Sequence, residues 1–397
     1  MSGTGRRVVL VFDGPVTRTP DGAVSTLGLS LRFVEQLFET FERVAIICRL
    51  QRLPAPQPGS IVLPAAAELI VVPTYGSLLG FARIAPNIRR IVREHLEVDD
   101  AIILRLASHL SLWIGRMLRA GRRRYGVHVL NDPSELFTPG AIEHPLRPLL
   151  RWWFVRETRR ACAAAEAALY VTERTLQARY PCDRAMFGAS DVALPLAKPP
   201  GRQPRQRGLD EAIRIVTVGS LEQPYKGVDD LLRALSSMRR TSGLDLRLTV
   251  LGDGRQRARL EAFARSLALA DVVAFRGQVS TAEVHRALED ADVFVLASRT
   301  EGLPRALVEA MYFGVPCIAT CVGGTPELLA ARYLVPPNAP EILAERLLSL
   351  LRSPGALEET SRANLETVRR FESPRLEGTV TRFLQHLARQ AAVPCVD

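Results

Sequence analysis

Short apolar runs alternate along this chain with longer stretches of helical periodicity. Arg7-Val-Val-Leu-Val-Phe-Asp13 reads as a buried strand, ended by Asp13-Gly14-Pro15. A loop carrying Gly22 and Ser25-Thr26 leads to a helical stretch over about 27–41. Further strands are expected near 44–49, 69–73, 101–106, 127–130 and 167–172, with helices near 83–96, 109–120 and 145–165. Strands alternating with helices predict a parallel sheet covered on both faces. Ligands bind such sheets at the carboxyl ends of the strands, so Asp13-Gly14, Arg105 to His109 and Asn131-Asp132 are the first half's candidates. Each of them serves equally well as a turn residue, a helix cap or a solvated arginine.

From Lys198 to Gly208 the chain offers no apolar residue to pack, and this stretch reads as a linker. A second alternation follows. Strands at 213–218, 247–251, 272–275, 293–296 and 316–320 alternate with helices at 227–239, 255–268 and 281–290, and more helices are expected near 339–352, 356–370 and 375–391. Each strand of this half runs into a glycine: Gly219, Gly252, Gly277, Gly302 and Gly323-Gly324. Glycine at a strand end lets a ligand approach the backbone, so the ends form one open rim for a large polar ligand.

The centre of that rim is Ala297-Ser298-Arg299-Thr300-Glu301-Gly302-Leu303-Pro304-Arg305-Ala306-Leu307-Val308-Glu309. Pro304 suits the first helical position, so the helix is expected to start there and aim its free N–H groups at the strand end. Such a terminus favours a phosphate. Glu301 lies in the turn and Glu309 inside the helix, placing two carboxylates at different depths for sugar hydroxyls. Lys226, just past another strand end and before Gly227, supplies a point charge for the same phosphates.

Composition narrows the setting. A length of 397 residues implies two domains. No apolar run reaches the length of a membrane span, and Met-Ser-Gly-Thr-Gly-Arg-Arg at the start is not a cleavable signal, so the default compartment is the cytoplasm. The net charge of +10 is almost all arginine, with Lys198 and Lys226 the two lysines. That charge suits an anionic partner, but neither zinc-finger spacing nor an aromatic-basic run points to nucleic acid. The six cysteines lack paired spacing and read as reduced thiols, and no metal site is expected at Cys317/Cys321. One segment, Arg147 to Arg160, sets Trp152-Trp153 among arginines. It reads as a covering helix with its tryptophans in the core, or as a contact with an anionic inner membrane face.

Residues 215–331 resemble the nucleotide-binding domain of retaining GT-B glycosyltransferases of the group 1 (family 4) type. The matching pieces are Val218-Gly219-Ser220 with Lys226-Gly227, Leu251-Gly252-Asp253-Gly254, Phe275-Arg276-Gly277-Gln278-Val279, Ala291-Asp292-Val293-Phe294, Ser298 through Glu309, and Gly323-Gly324-Thr325-Pro326-Glu327. In the first half only the architecture and Tyr170-Val171-Thr172-Glu173 match. The resemblance implies an α/β GT-B fold of two Rossmann-like parallel-sheet domains facing a central cleft. An acceptor-side domain would span 1–200, a donor-binding domain 209–372, and a last segment, 373–397, would cross back to the first domain.

It further implies a nucleotide-diphosphate-sugar donor, a hydroxyl acceptor and retention of configuration, with no cofactor and no metal requirement. Lys226 would neutralise the diphosphate, and amides around Gly302, Leu303 and Pro304 would hold its oxygens. Glu309 would bind the ribose, Glu301 the donor sugar, and Gly277, Gln278 and Val279 the base. Gly219, Ser220, Gly252, Asp253 and Ser298 complete the donor site, while Asn131 or Asp132 would face the cleft with Asp13, Gly14, Arg105 and His109. Two departures stand out. The family often has an arginine where this chain has Ser220, which makes Arg305 or Arg299 the substitute cation; it also often has a histidine at a first-domain strand end, for which His128 and His109 are rivals. The alternatives are an epimerase of the same fold and a non-catalytic sugar-nucleotide-binding protein.

Overall fold

The computed structural model describes residues 6–57, 59–142, 144–190, 192, 194, 212–371 and 373–391. The expected linker from Lys198 to Gly208 lies outside the described residues. The chain divides into two compact units. The first comprises Met1–Leu130, Trp153–Asp191 and Leu376–Asp397, and the second Asn131–Trp152 and Val192–Arg375.

The first unit is built on β1 (Arg7–Arg18), β2 (Val24–Thr26), β3 (Arg43–Arg52), β4 (Ile61–Val62), β5 (Ala67–Val72), β6 (Ala101–Leu106), β7 (Gly126–Val129), β8 (Ala167–Tyr170) and β9 (Met186–Gly188). The parallel sheet runs β5-β3-β1-β6-β7-β8-β9, and β2 and β4 add antiparallel beside the far half of β1. Its helices begin with α1 (Leu31–Thr40), α2 (Leu78–His95) and α3 (His109–Ala120). The chain order reverses between β1 and β6, which sets a crevice at their carboxyl ends, beside Asp13 and His109. Next come α4 (Pro133–Leu136), grouped with the second unit, then α5 (Arg147–Ala163) and α6 (Thr175–Arg179).

Three local expectations need correcting. Asp13-Gly14-Pro15 does not end β1: the register against β3 shifts between Val11 and Pro15 and pairing resumes to Arg18. The turn signal therefore marks a bulge. The helix expected from 27 starts at Leu31, because Ser30 caps it by accepting from Phe33 N, and Val24–Thr26 is a strand. Similarly, Ser77 caps α2 through Gly80 N and starts it at Leu78, with Pro86 inside.

The second sheet is wholly parallel, in the order β12-β11-β10-β13-β14-β15. Its strands are β10 (Ile213–Val218), β11 (Leu246–Leu251), β12 (Val273–Gly277), β13 (Val293–Leu296), β14 (Cys317–Thr320) and β15 (Leu334–Val335). Val293–Leu296 is buried at every position, as an unbroken apolar run in a two-faced sheet requires. Helices α7 (Val228–Ser242), α8 (Arg257–Ser266), α9 (Thr281–Asp290), α10 (Arg305–Tyr312), α11 (Thr325–Leu328), α12 (Pro340–Leu351) and α13 (Pro354–Val368) complete it. The reversal of order lies between β10 and β13, so the crevice opens where Gly219 and Ala297 leave those strands.

The last helix, α14 (Ser373–Ala391), belongs from Leu376 onward to the first unit. Val380, Phe383, Leu384, Leu387 and Ala388 recur at helical spacing and pack with α1, β1 and β3 in one apolar core. Phe383 and Leu384 are fully buried, which stabilises by about 1.5–3 kcal/mol each.

α5 covers its unit through Phe154, Ala161 and Cys162, but its tryptophans are not in the core as expected. Phe154 is buried and Trp153 half-buried, but Trp152 is 56% exposed, next to exposed Leu146 and Leu149. Among the described residues no helix is long and apolar enough to cross a membrane.

Candidate functional site

A polar cluster sits at the switch point of the second unit. A single 3-10 turn, Pro224–Lys226, precedes Gly227, which adopts a left-handed conformation (φ 62°) and opens α7. A side chain at Gly227 would meet the Ala297 carbonyl oxygen at 2.0 Å, so glycine is what brings this turn against the end of β13. Gly219 has a matching role: its bare Cα lets the Lys226 stem cross, a Cβ there falling 2.8 Å from Lys226 Cε.

Lys226 Nζ donates to Glu301 Oε1 at 2.7 Å, and Ser298 Oγ donates to the same oxygen at 2.6 Å. Both charged side chains are largely buried. Burial works against the ammonium, but Glu301, with a contribution from Tyr225, outweighs it and raises the Lys226 pKa. The lysine is therefore charged at neutral pH. Gly324 N donates to Gly302 O at 2.6 Å and so ties the Gly323-Gly324 turn to the Glu301-Gly302 turn.

α10 starts one residue later than Pro304, which is its cap residue. Its first amides, Arg305 and Ala306, have no carbonyl a turn behind them, while Leu303 and Pro304 beneath are buried. Glu309, half-buried one turn inside, has its pKa raised by burial, with Arg305 opposing the rise. Arg305 is exposed, and its guanidinium makes no ion pair among the described residues. Together these groups can bind an anion at the helix start and hydroxyls at the two carboxylates.

Arg299 is not the substitute cation for which the chain leaves two candidates. It is 5% exposed and fully engaged. It forks onto Asp229 through two bonds of 2.9 Å and reaches Asp230 at 2.6 Å, Pro224 O at 2.7 Å and Asn338 Oδ1 at 2.6 Å. Its own N–H donates to Tyr225 O at 2.7 Å. Arg299 thus fastens the Lys226 turn to the β13–α10 loop, leaving Arg305 as the uncommitted cation. The acidic pair Asp229-Asp230 at the start of a helix was the visible part of this network. Its partner lies 70 residues on, which no local pattern discloses.

The remaining rim residues spread around this centre. Ser220 is exposed, its Oγ accepting from Glu222 N at 3.3 Å. Gly252 N donates to Gly277 O at 2.9 Å, joining two strand ends. Asp253 is held below the usual carboxylate range by the Gly254 amide and by Arg257. Gln278 is exposed and Val279 half-buried. Asp132 is fully buried as the cap of α4, accepting from Ser134 N at 2.7 Å, with Asn131 half-buried before it. Within the same unit, Glu135 of α4 accepts from Gly323 N at 2.9 and 3.0 Å.

In the first unit, Asp13 and His109 lie together just beyond the last β1–β6 pair, Val11 and Leu104. Asp13 pairs with Arg49 at 2.8 Å and accepts from Tyr75 OH at 2.6 Å, two partners the sequence pattern did not single out. His109 packs edge-on to Phe154 with centroids 4.7 Å apart. Burial lowers its pKa against the pull of Asp13. Arg105 is buried over the Phe12 ring and donates to Gly28 O, while Gly14 lies tight against that same ring. His128 is fully buried in β7, with its ring 5.2 Å from Phe33.

Comparison with known proteins adds to this geometry. Residues 202–367 match the family model of glycosyl transferases group 1. Protein CapJ of Staphylococcus aureus is 24% identical over 340 residues, covering 84% of this chain and 83% of that protein. The amylovoran biosynthesis glycosyltransferase AmsK of Erwinia amylovora is 32% identical over 151 residues, covering 36% of this chain and 37% of that protein. The crystal structure of Anabaena Alr3699/HepE in complex with UDP-glucose aligns over 97% of this chain and 98% of its own, with a TM-score of 0.60 and 16% identity. The fold is that of the GT-B glycosyltransferases, two Rossmann-like parallel-sheet units in one chain.

Proposed function

We propose that this chain is a retaining glycosyltransferase that moves a sugar from a nucleoside-diphosphate donor to a hydroxyl acceptor in the assembly of a polysaccharide or related glycoconjugate. The observation that carries this reading is the cluster at the β10/β13 switch point. There a charged lysine, two carboxylates at different depths, a free arginine and a helix start converge. A diphosphate brings the charge that Lys226, Arg305 and the α10 amides can meet. Glu309 and Glu301 accept from the ribose and sugar hydroxyls, with Ser298 orienting Glu301.

Rate enhancement would come from stabilising the departing diphosphate. Lys226 and Arg305 supply that charge from side chains, so the transfer needs no metal. The acceptor hydroxyl attacks from the face the diphosphate leaves, and configuration is retained. The UDP-glucose complex of HepE supports a nucleotide-sugar donor and makes uridine the first base to try. The name of AmsK supports a role in polysaccharide assembly. The named relatives do not favour an epimerase or a non-catalytic binding protein. Trp152, exposed with Leu149 on an arginine-rich helix and with Leu146 just before it, further supports contact with an anionic membrane face.

A thermal-shift panel of nucleoside diphosphates and their sugar conjugates, with and without magnesium, tests the reading. A ligand at a hundred times its dissociation constant adds about 2.7 kcal/mol of stability. One base should raise the melting temperature equally with and without magnesium. A panel in which nothing shifts would overturn the donor assignment.

A further inference from the structure

A second cavity lies in the first unit, in the C-terminal halves of α2 and α3. It holds about 600 Å³, within the range of small-molecule sites. Val92, Leu96, Trp113 and Met117 supply apolar lining, and Arg89, Arg93, Arg116 and Arg123 surround it. Both helices run back from the carboxyl ends of their strands, so this cavity sits toward the amino ends of the sheet. Asp13 and His109 lie at the other end.

The ordinary account of basic side chains here is compensation of the helix dipole. It covers Arg93, in the last turn of α2, but not Arg89 or Arg116, which lie further back. Arg89 and Arg93 are one turn apart, a like-charge spacing that costs a helix a few tenths of a kcal/mol. On the same helix Arg90 has Glu94 at that spacing, 3.9 Å away. Arg89, Arg93 and Arg116 are exposed and make no ion pair among the described residues. Arg123 donates to the Glu97 carbonyl and lies near Asp100, whose charged form it favours. Three guanidinium groups without an ion pair among the described residues thus border an apolar lining, and Val98, 85% exposed, stands two residues beyond Leu96.

We propose that this cavity binds an amphiphilic phosphate ester, its phosphate forked by the arginines and its apolar chain laid on Trp113, Met117 and Leu96. Arginine matches phosphate in geometry and charge, and the half-buried Trp113 presents an apolar face. The ester is either a free metabolite or the head group of an anionic lipid.

The test uses the full chain and geranyl diphosphate, with pyrophosphate and geraniol as the head and tail alone. Geranyl diphosphate should change Trp113 emission, Trp113→Phe should remove that signal, and either half of the ligand should bind more weakly. Arg93→Glu/Arg116→Glu should weaken binding at least about tenfold through lost charge-assisted hydrogen bonds. These side chains are exposed, so the variant should melt like the parent. Arg240→Glu/Arg362→Glu, exposed on the other unit and away from its candidate site, should change nothing. Vesicles of phosphatidic acid identify the source: binding lost in Arg93→Glu/Arg116→Glu assigns a lipid head group, whereas geranyl diphosphate bound without vesicle binding assigns a free ligand. An absence of binding at millimolar geranyl diphosphate would overturn the proposal, as would equal loss in both charge-reversal variants.

Discussion

Replacing Arg299 by alanine removes the cation that joins the Lys226 turn to the β13–α10 loop. Asp229 and Asp230 would then keep only Arg233, at 3.2 and 2.7 Å, which is nearly half exposed and already paired with both. Stripping one partner from a buried ion pair costs about 3–5 kcal/mol. With Arg233 retained we expect about 3 kcal/mol, a fall in melting temperature of roughly 6–12 °C for a unit of this size. Arg299→Lys keeps the charge but not the fork, and should recover only part of the loss. Thermal and urea melts of the full chain would measure the change. Because the Arg299 guanidinium also holds Pro224 O of the Lys226 turn, the variant should bind a nucleoside diphosphate several-fold more weakly although Lys226 is intact. A destabilisation below about 1 kcal/mol with unchanged nucleotide affinity would refute this account of the network.

Further outcomes follow from the charges. His109 has a lowered pKa, so the unfolded chain binds its proton more readily than the folded one. Stability should be complete above the ordinary histidine pKa and fall on acidification toward the lowered value. His109→Phe should flatten that part of a stability-against-pH curve; an unchanged slope would dismiss the buried-histidine explanation. Burial raises the Glu309 pKa, so ribose binding by its carboxylate should weaken as pH falls into that raised range. Nucleotide titrations of Glu309→Gln should lack this acid limb, and a limb of full size would assign it elsewhere. Trp152→Glu should abolish pelleting with anionic vesicles, while pelleting equal to the parent would remove α5 from the membrane account.

The two-sheet α/β architecture was legible because buried parallel strands are apolar runs, and glycine or a polar turn marks where each run ends. Val293–Leu296 and α10 show this clearly, since strand, turn and helix follow within one short segment. Less visible were features that depend on partners far along the chain. β1 continues past Asp13-Gly14-Pro15 because β3 still pairs with it, and a bulge and a turn share the same residue types. Trp152 is exposed although tryptophan is usually buried, because exposure is set by what covers a helix, not by its own composition. In the candidate site, Lys226, Glu301 and Glu309 stood out individually as unusual residues at strand ends. The Arg299–Asp229–Asp230 bridge, and Arg49 and Tyr75 around Asp13, are ordinary surface residue types until the fold brings them together.

The central claim is that a nucleoside diphosphate sits at the β10/β13 switch point on Lys226. Calorimetric titration of UDP into the parent chain and into Lys226→Ala tests it most directly. Losing a charge-assisted contact of about 1.5–3 kcal/mol predicts roughly a tenfold to hundredfold weaker binding in the variant, with the fold intact. Equal affinity in the two proteins would contradict the claim.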